Sequence, residues 1–264
     1  MNKKKVIITV VVAVLVLVIA VSGGHLIYNN ILTKKTTEKY DDLASSYAHV
    51  SESGQEIVYT DASGVPVEKN PIDFPGLKQK NPDIYSWITI KNTNVNYPVL
   101  QSATDDNFYL DHDFEKEHSP AGAIYSQFCN HKDYLDRVTV LYGHNMANRS
   151  MFASLHDFEN SEFFEQNSEM TIYTPDKRLD YVIVAAYNYD DSHIMNSFDF
   201  SRDEIYSDFL ETVKNPHSIT SNVRQGVSLD INDKIVILST CLDFGEGRFL
   251  VVGKLTGETP LAGG

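Results

Sequence analysis

This 264-residue sequence predicts a mostly β domain with several short helices between its strands, carried on an N-terminal helical extension. Three observations point there. Short apolar segments rich in Val, Ile and Tyr recur at similar spacing after residue 83, bounded by Asn, Asp, Gly and Pro as strands are. Segments with helical periodicity are few and short. A single long apolar run occupies the chain ahead of residue 31. With 42% hydrophobic and 22% charged residues the chain can bury a core and is not disordered, and its length suits one domain with an appendage.

Residues 1–5 carry Lys3, Lys4 and Lys5, and the apolar run begins at Val6. From Val6 to Val21 only Thr9 interrupts it, and apolar character resumes at Leu26 and Ile27. Counted over 6–28, the run is long enough to cross a hydrocarbon layer of about 30 Å as a helix. The three lysines would hold its start in the cytoplasm, placing the rest of the chain outside the cell as a single-pass membrane protein. A cleaved signal peptide is the alternative, since Ala20, Val21 and Ser22 offer small residues to a peptidase. Residues 29–75 are polar and then turn-rich around 51–54 and 61–64, and are expected to form a short helix followed by a linker.

A domain over 76–258 follows, with a tail at 259–264. Its first strands lie between Ile84 and Val99, split by the turn signal Lys91–Asn94. Further strands are expected near Ala123–Tyr125, Val138–Tyr142, Met170–Tyr173, Tyr181–Tyr187, Ile235–Leu238 and Phe249–Leu255. Helices are expected at Met151–Leu155, Ser161–Glu165 and Arg202–Val213. No repeat and no phosphate or dinucleotide fingerprint is present, because Gly245 and Gly247 lack a third glycine and a nucleotide-binding context.

The formal charge is −14, or about −17 once the three N-terminal lysines are set aside. So acidic a body argues against a nucleic-acid partner. The scattered acidic residues read as a solvated face rather than a calcium site. No metal or cofactor is expected. Cys129 and Cys241 are too few for a disulfide scaffold and lack CxxC spacing, so each needs its own account.

Cys241 follows the apolar strand Lys234–Thr240, which delivers its thiol at a strand end, where a nucleophile belongs; the alternative is a buried cysteine acting as a small hydrophobe. His144 ends the apolar strand Val138–Gly143, with Gly143 expected to allow an unusual backbone geometry before it. Taken singly, such a histidine is more often structural than catalytic. His25 belongs to the anchor, and His49, His112, His118, His131, His156, His193 and His217 lie among polar residues and read as solvated. Arg248 opens the strand Phe249–Leu255 after the loop Leu242–Gly247, and a hairpin would return its guanidinium beside Cys241; one arginine there is otherwise a solvated strand end. Cysteine, histidine and arginine at strand ends make a set for acyl transfer: nucleophile, acid/base and oxyanion donor.

Tyr142-Gly-His-Asn-Met146, Leu238-Ser-Thr-Cys241 and Arg248 before a Val-rich strand resemble the three signature segments of the sortases, and of class B in particular. Asn81–Ile88, Asn96–Val99, Asn107–Leu110, Gly122–Tyr125 and Ser150–Phe152 resemble class B sortases in the same order and spacing, over about residues 76–256. The chain departs from that pattern in carrying Ile237 where Thr is usual, and in a shorter loop from Cys241 to Arg248. The resemblance implies a closed β-barrel and a cysteine transpeptidase, chemically kin to thiol proteases and hydrolases. Such an enzyme cleaves an NPQTN-like or LPXTG-like sorting signal after Thr, holds the surface protein as a Cys241 thioester and passes it to an amine of the peptidoglycan cross-bridge.

In that reaction His144 serves as acid and then base and Arg248 stabilises the oxyanion. A thiol near pKa ~8.5 and an imidazole near ~6.5 are mostly neutral together at pH 7, which makes a minor thiolate–imidazolium population the reactive form. Ser239 and Asp243 are further candidates, Asp243 to orient His144 or touch substrate, and Tyr142 and Asn145 are candidates to line the site. Cys129 reads as a bystander, and Arg202 and Arg224 as poorer substitutes for Arg248. A pilus-type sortase acting on a pilin lysine, a wall cysteine peptidase and a non-enzymatic surface binding module are the rival readings. Papain-like order is opposed, because there the cysteine precedes the histidine at a helix start.

Overall fold

The computed structural model describes residues 3–50, 57–60, 64, 66–243 and 245–263. Eight strands close into a barrel. In chain order the eleven strands are β1 (Ile57–Thr60), β2 (Pro66–Lys69), β3 (Ile84–Ile90), β4 (Asn96–Leu100), β5 (Ile124–Tyr125), β6 (Val138–Tyr142), β7 (Glu169–Tyr173), β8 (Lys177–Tyr189), β9 (Ser221–Val223), β10 (Ile235–Cys241) and β11 (Arg248–Ala262). Their sheet order is β1-β2-β11-β10-β6-β5-β4-β3-β7-β8-β9, and an antiparallel pairing of β8 with β11 closes the barrel. β1, β2 and β9 lie outside that ring. The helices are α1 (Lys3–Tyr47), α2 (Phe74–Lys80), α3 (Ser161–Gln166), α4 (Ile194–Ser197) and α5 (Asp203–Lys214).

The strands of the sequence reading are present, β6 with the same bounds, β5 shortened to Ile124–Tyr125 and β7, β8, β10 and β11 lengthened, and Met151–Leu155 becomes a 3-10 segment over Ala153–Glu159. Two expectations change. The 29–75 segment is not a short helix and linker: α1 runs unbroken for 45 residues, about 68 Å at 1.5 Å per residue, and β1 and β2 join the sheet. The turn region 51–54 lies outside the described residues, as do 61–63. Residues 259–262 are likewise not a free tail, because β11 continues through them against β8 and β2.

The runs of apolar residues in β6, β10 and β11 have a simple cause: both faces of these strands are buried. Leu141, Val236, Leu238, Phe249 and Val251 point into the barrel with Ile88 and Ile183. The alternate residues Val138, Val140, Ile235, Ile237, Leu250 and Val252 form a second core with Tyr206, Phe209, Leu210 and Val213 of α5. Those four recur at i, i+3, i+4 and i+7, and Asp203 and Glu204 in the first turn suit the helix dipole. Ile237, where the signature has Thr, is fully buried in this second core.

α1 leaves its large apolar side chains from Ile7 to Ile31 exposed and docks its other end on the barrel. Thr36, Tyr40 and Leu43 are buried along one stripe. Thr36 Oγ1 meets Ser119 Oγ at 2.9 Å, and the Tyr40 hydroxyl donates to the Gly122 carbonyl at 3.0 Å. Between them Lys39 Nζ lies 2.9 Å from Asp113 and 2.7 Å from both Glu115 and Glu117. These carboxylates, which the sequence reading left among scattered surface charges, are gathered around one ammonium. They hold the Lys39 pKa well above its usual value against the opposing effect of burial.

Lys39→Met should therefore destabilise the full chain, because Asp113 is buried and would lose its counter-charge beside two further carboxylates. A loss of about 1–3 kcal/mol is expected in urea denaturation followed in detergent, whereas Glu117→Gln at the exposed rim should change little. A second prediction concerns Gly143. Its φ is not positive, so the expected unusual backbone is not its reason; a Cβ there would sit 2.5 Å from Ile124 Cδ1 and 2.7 Å from the buried Phe152 ring. Gly143→Ala should cost about 1–3 kcal/mol by overpacking, read as a lowered unfolding midpoint.

Candidate active site

β6 and β10 run parallel in the register Val138↔Ile235 through Tyr142↔Ser239, and the Gly143 amide extends the ladder by donating to the Ser239 carbonyl at 3.1 Å. Parallel partners end on the same side, so His144 and Cys241 leave their strands at one end of the barrel. The β10–β11 hairpin then places Arg248 directly opposite Cys241. Its loop turns on Gly247, whose φ of +128° and close approach to the Tyr189 carbonyl, 2.7 Å from a Cβ built there, both require glycine. Phe244 of this loop lies outside the described residues.

Arg248 Nη1 donates to Cys241 Sγ at 2.9 Å, and both residues are half-buried. Cys241 is a free thiol, as is Cys129, which is exposed in the loop before β6. His144 is half-buried and its Nε2–H donates to the Leu110 carbonyl at 2.6 Å. A carbonyl only accepts, so this bond sets the protonated nitrogen and turns Nδ1 toward proton exchange. Leu110 closes the 3-10 turn Phe108–Leu110, which the sequence reading did not connect with the site.

Of the second-tier candidates, Asn145 is the most engaged. Its Nδ2 reaches Asp243 Oδ1 at 2.7 Å and the Cys241 carbonyl at 3.2 Å, tying the end of β6 to the end of β10. Asp243 thus meets Asn145, the neighbour of His144, and not His144 itself. Ser239 is buried inside the ladder between Tyr142 and Leu250. Tyr142 stacks obliquely on Tyr125 at 5.5 Å, and its buried hydroxyl has no hydrogen-bond partner among the described residues. Burial raises its pKa well above the usual tyrosine value, while neighbouring Tyr125 is pushed up to about 12 for the same reason.

Arg224 donates to the Ile183 carbonyl at 2.7 Å and lies over the Phe164 ring at 4.6 Å, which occupies it away from the cysteine. Arg202 is exposed at the start of α5. Two histidines read as solvated are not. His193 Nε2 lies 2.6 Å from Gln127 Oε1. His156 is 8% exposed in its side chain and reaches the Cys241 carbonyl at 2.9 Å. Its local sequence, among Asp, Glu and Asn, carries no sign of burial; the contact arises because the 3-10 segment folds back over β11.

A nucleophile with a cationic donor at its sulfur, beside a histidine with one nitrogen fixed, is an arrangement suited to acyl transfer. A model of the sortase domain matches residues 88–256. Sortase B of Listeria monocytogenes is 34% identical over 188 residues, covering 68% of this chain and 72% of the relative. Sortase B of Staphylococcus aureus is 30% identical over 238 residues, covering 89% and 91%. The solved S. aureus sortase B–substrate complex superposes with a TM-score of 0.61 at 32% identity, over 69% of this chain and 84% of that one. Clostridium perfringens sortase B gives 0.63 at 35%, over 69% and 99%. With a closed barrel, a cysteine and an arginine paired across its terminal hairpin, and these relatives, the chain belongs to the class B sortases, a family of transpeptidases.

Proposed function

We propose that this chain is a membrane-anchored sortase that cleaves an NPQTN-like or LPXTG-like sorting signal after Thr and transfers the surface protein to an amine of the peptidoglycan cross-bridge. The observation that carries this reading is the Arg248 donor at 2.9 Å from the Cys241 sulfur, at the barrel end where His144 also emerges. The apolar part of α1 is long enough to span a bilayer, with residues 1–5 cytoplasmic, 6–28 in the membrane and the catalytic domain outside. The S. aureus relative has been solved as a substrate complex, which supports a substrate-binding role here.

Cys241, as thiolate, attacks the Thr carbonyl. A carbon–sulfur bond forms, and the carbonyl electron pair moves to oxygen, where the Arg248 guanidinium donates hydrogen bonds to it. Collapse breaks the peptide carbon–nitrogen bond, and imidazolium His144 gives its Nδ1 proton to the leaving amine. In the second half the cross-bridge amine attacks the thioester, His144 takes back a proton and Cys241 leaves as thiolate. Asn145, bonded to both Asp243 and the Cys241 carbonyl, keeps the two strand ends in register through both halves.

The test is an intact-mass spectrum of the full-length chain in detergent after incubation with sorting-signal peptides of both kinds. An adduct of the peptide's N-terminal fragment should appear, persist in Cys129→Ser and vanish in Cys241→Ala. An amine panel of oligoglycine and lysine peptides then reads which acceptor resolves it. If no peptide is cleaved while a thiol reagent still reaches Cys241, the transpeptidase role fails for this chain. Arg248→Lys should lower turnover by about 10²-fold or more, since a point charge cannot replace the planar fork of donors.

A further inference from the structure

We propose that His156 is a positioning residue for acyl transfer, one that holds the main-chain carbonyl of Cys241 and thereby the place of the thiol. The proposal rests on the reaction above but concerns a residue outside the Cys241, His144 and Arg248 set. It begins with a break in the parallel ladder. Gly143 N–H donates to the Ser239 carbonyl, so the next rung would pair the residue 145 amide with the Cys241 carbonyl. That rung is made by side chains instead: Asn145 Nδ2 at 3.2 Å and His156 Nε2 at 2.9 Å both donate to the Cys241 oxygen. The nucleophile thus sits on the first residue of β10 that the parallel ladder no longer holds, with Arg248 of β11 still paired on its other edge.

His156 is itself held on three sides. Its ring stacks on Phe249 at 4.9 Å and 22°, Nδ1 lies 2.6 Å from Glu159 Oε1, and its side chain is 8% exposed. Phe249 directly follows Arg248, so one imidazole packs on the strand that carries the arginine while bonding the strand that carries the cysteine. A carbonyl and a carboxylate have lone pairs only, so holding Cys241 through Nε2 and Glu159 through Nδ1 at once takes both ring N–H groups as donors; Asn145 Nδ2, 3.1 Å from the same Nε2, spends its own hydrogens on the Cys241 carbonyl and Asp243. Nothing places the ring against the sulfur. Its effect passes through the peptide unit of Cys241, whose rotation would swing the thiol away from Arg248, and displacements of about 1 Å at a reacting atom cost up to about 10²-fold in rate.

Two substitutions separate this role from packing. His156→Phe keeps an aromatic ring on Phe249 and removes the donor, whereas His156→Gln carries an amide N–H with the reach of Nε2. Both are made in the full-length chain in detergent on a Cys129→Ser background, so that Cys241 is the single thiol. The readouts are kcat and KM for sorting-peptide cleavage, the thermal midpoint, and the rate of Cys241 alkylation by iodoacetamide, which needs no substrate. His156→Phe should lower kcat about tenfold with KM within about twofold and shift the alkylation rate at least about threefold, and His156→Gln should recover most of both.

Unchanged kcat and alkylation in His156→Phe would overturn the proposal. So would a His156→Gln variant as slow as His156→Phe with an equal fall in midpoint, since the residue would then be structural only. If the parent chain cleaves no sorting peptide while alkylation still falls or rises in His156→Phe and recovers in His156→Gln, the transpeptidase reading fails and the positioning role stands.

Discussion

The parallel pairing of β6 with β10 is the constraint on which the active end of the molecule depends. Parallel strands cannot be joined by a tight turn, and the chain between them supplies α3, β7, β8, α4, α5 and β9 before returning. In exchange, two strand ends emerge side by side from segments nearly a hundred residues apart in sequence. A register slip of one residue would turn His144 or Cys241 to the opposite face. Such a slip is opposed by burial on both faces of both strands, since every residue from Val138 to Leu141 and from Ile235 to Thr240 is buried.

Closure of the barrel serves the same end. β8 and β11 pair along nearly their whole length, with two register shifts, so β11 has a partner on each side over the half that carries Arg248. The arginine therefore starts from a backbone held by Tyr189 across one edge and Cys241 across the other. An exposed guanidinium would have to give up side-chain freedom to hold one geometry; here the hairpin presents it next to the sulfur before any substrate arrives.

The polar scaffold is built from donors that meet main-chain oxygens. His144 bonds the Leu110 carbonyl, while Asn145 and His156 bond the Cys241 carbonyl. Backbone acceptors at strand ends are otherwise left to water, and here they fix the orientation of the side chains around the thiol. α1 connects to the same neighbourhood: Tyr40 bonds Gly122, whose position and φ of +57° bring it against the Tyr109 and Leu110 carbonyls, and Asn148 reaches Thr37 at 3.0 Å. The helix that carries the apolar segment is thus braced against the loops that frame His144.

Much of this was legible in sequence where the information is local. Apolar runs ending in Cys241 and His144 mark strands with a functional end, the Leu242–Gly247 loop marks a hairpin, and the spacing of Tyr206, Phe209, Leu210 and Val213 marks the buried face of α5. β1 and β2 were not identified as strands, because the surrounding stretch is turn-rich and a four-residue strand such as Pro66–Lys69 takes its place from pairing with β11, with β1 added on its other edge. The role of Gly143 was misjudged for a related reason: its need is for space beside Phe152, a residue that only the fold brings near. Nor does sequence distinguish His156 from the solvated histidines, since its burial depends on Phe249 arriving from another strand. The residue types and strand ends that make a nucleophile, a proton carrier and a cationic donor available were set by sequence alone. Their convergence, and the side chains that hold the Cys241 carbonyl, were decided by the tertiary structure, because strand register and barrel closure act between segments that no local pattern relates.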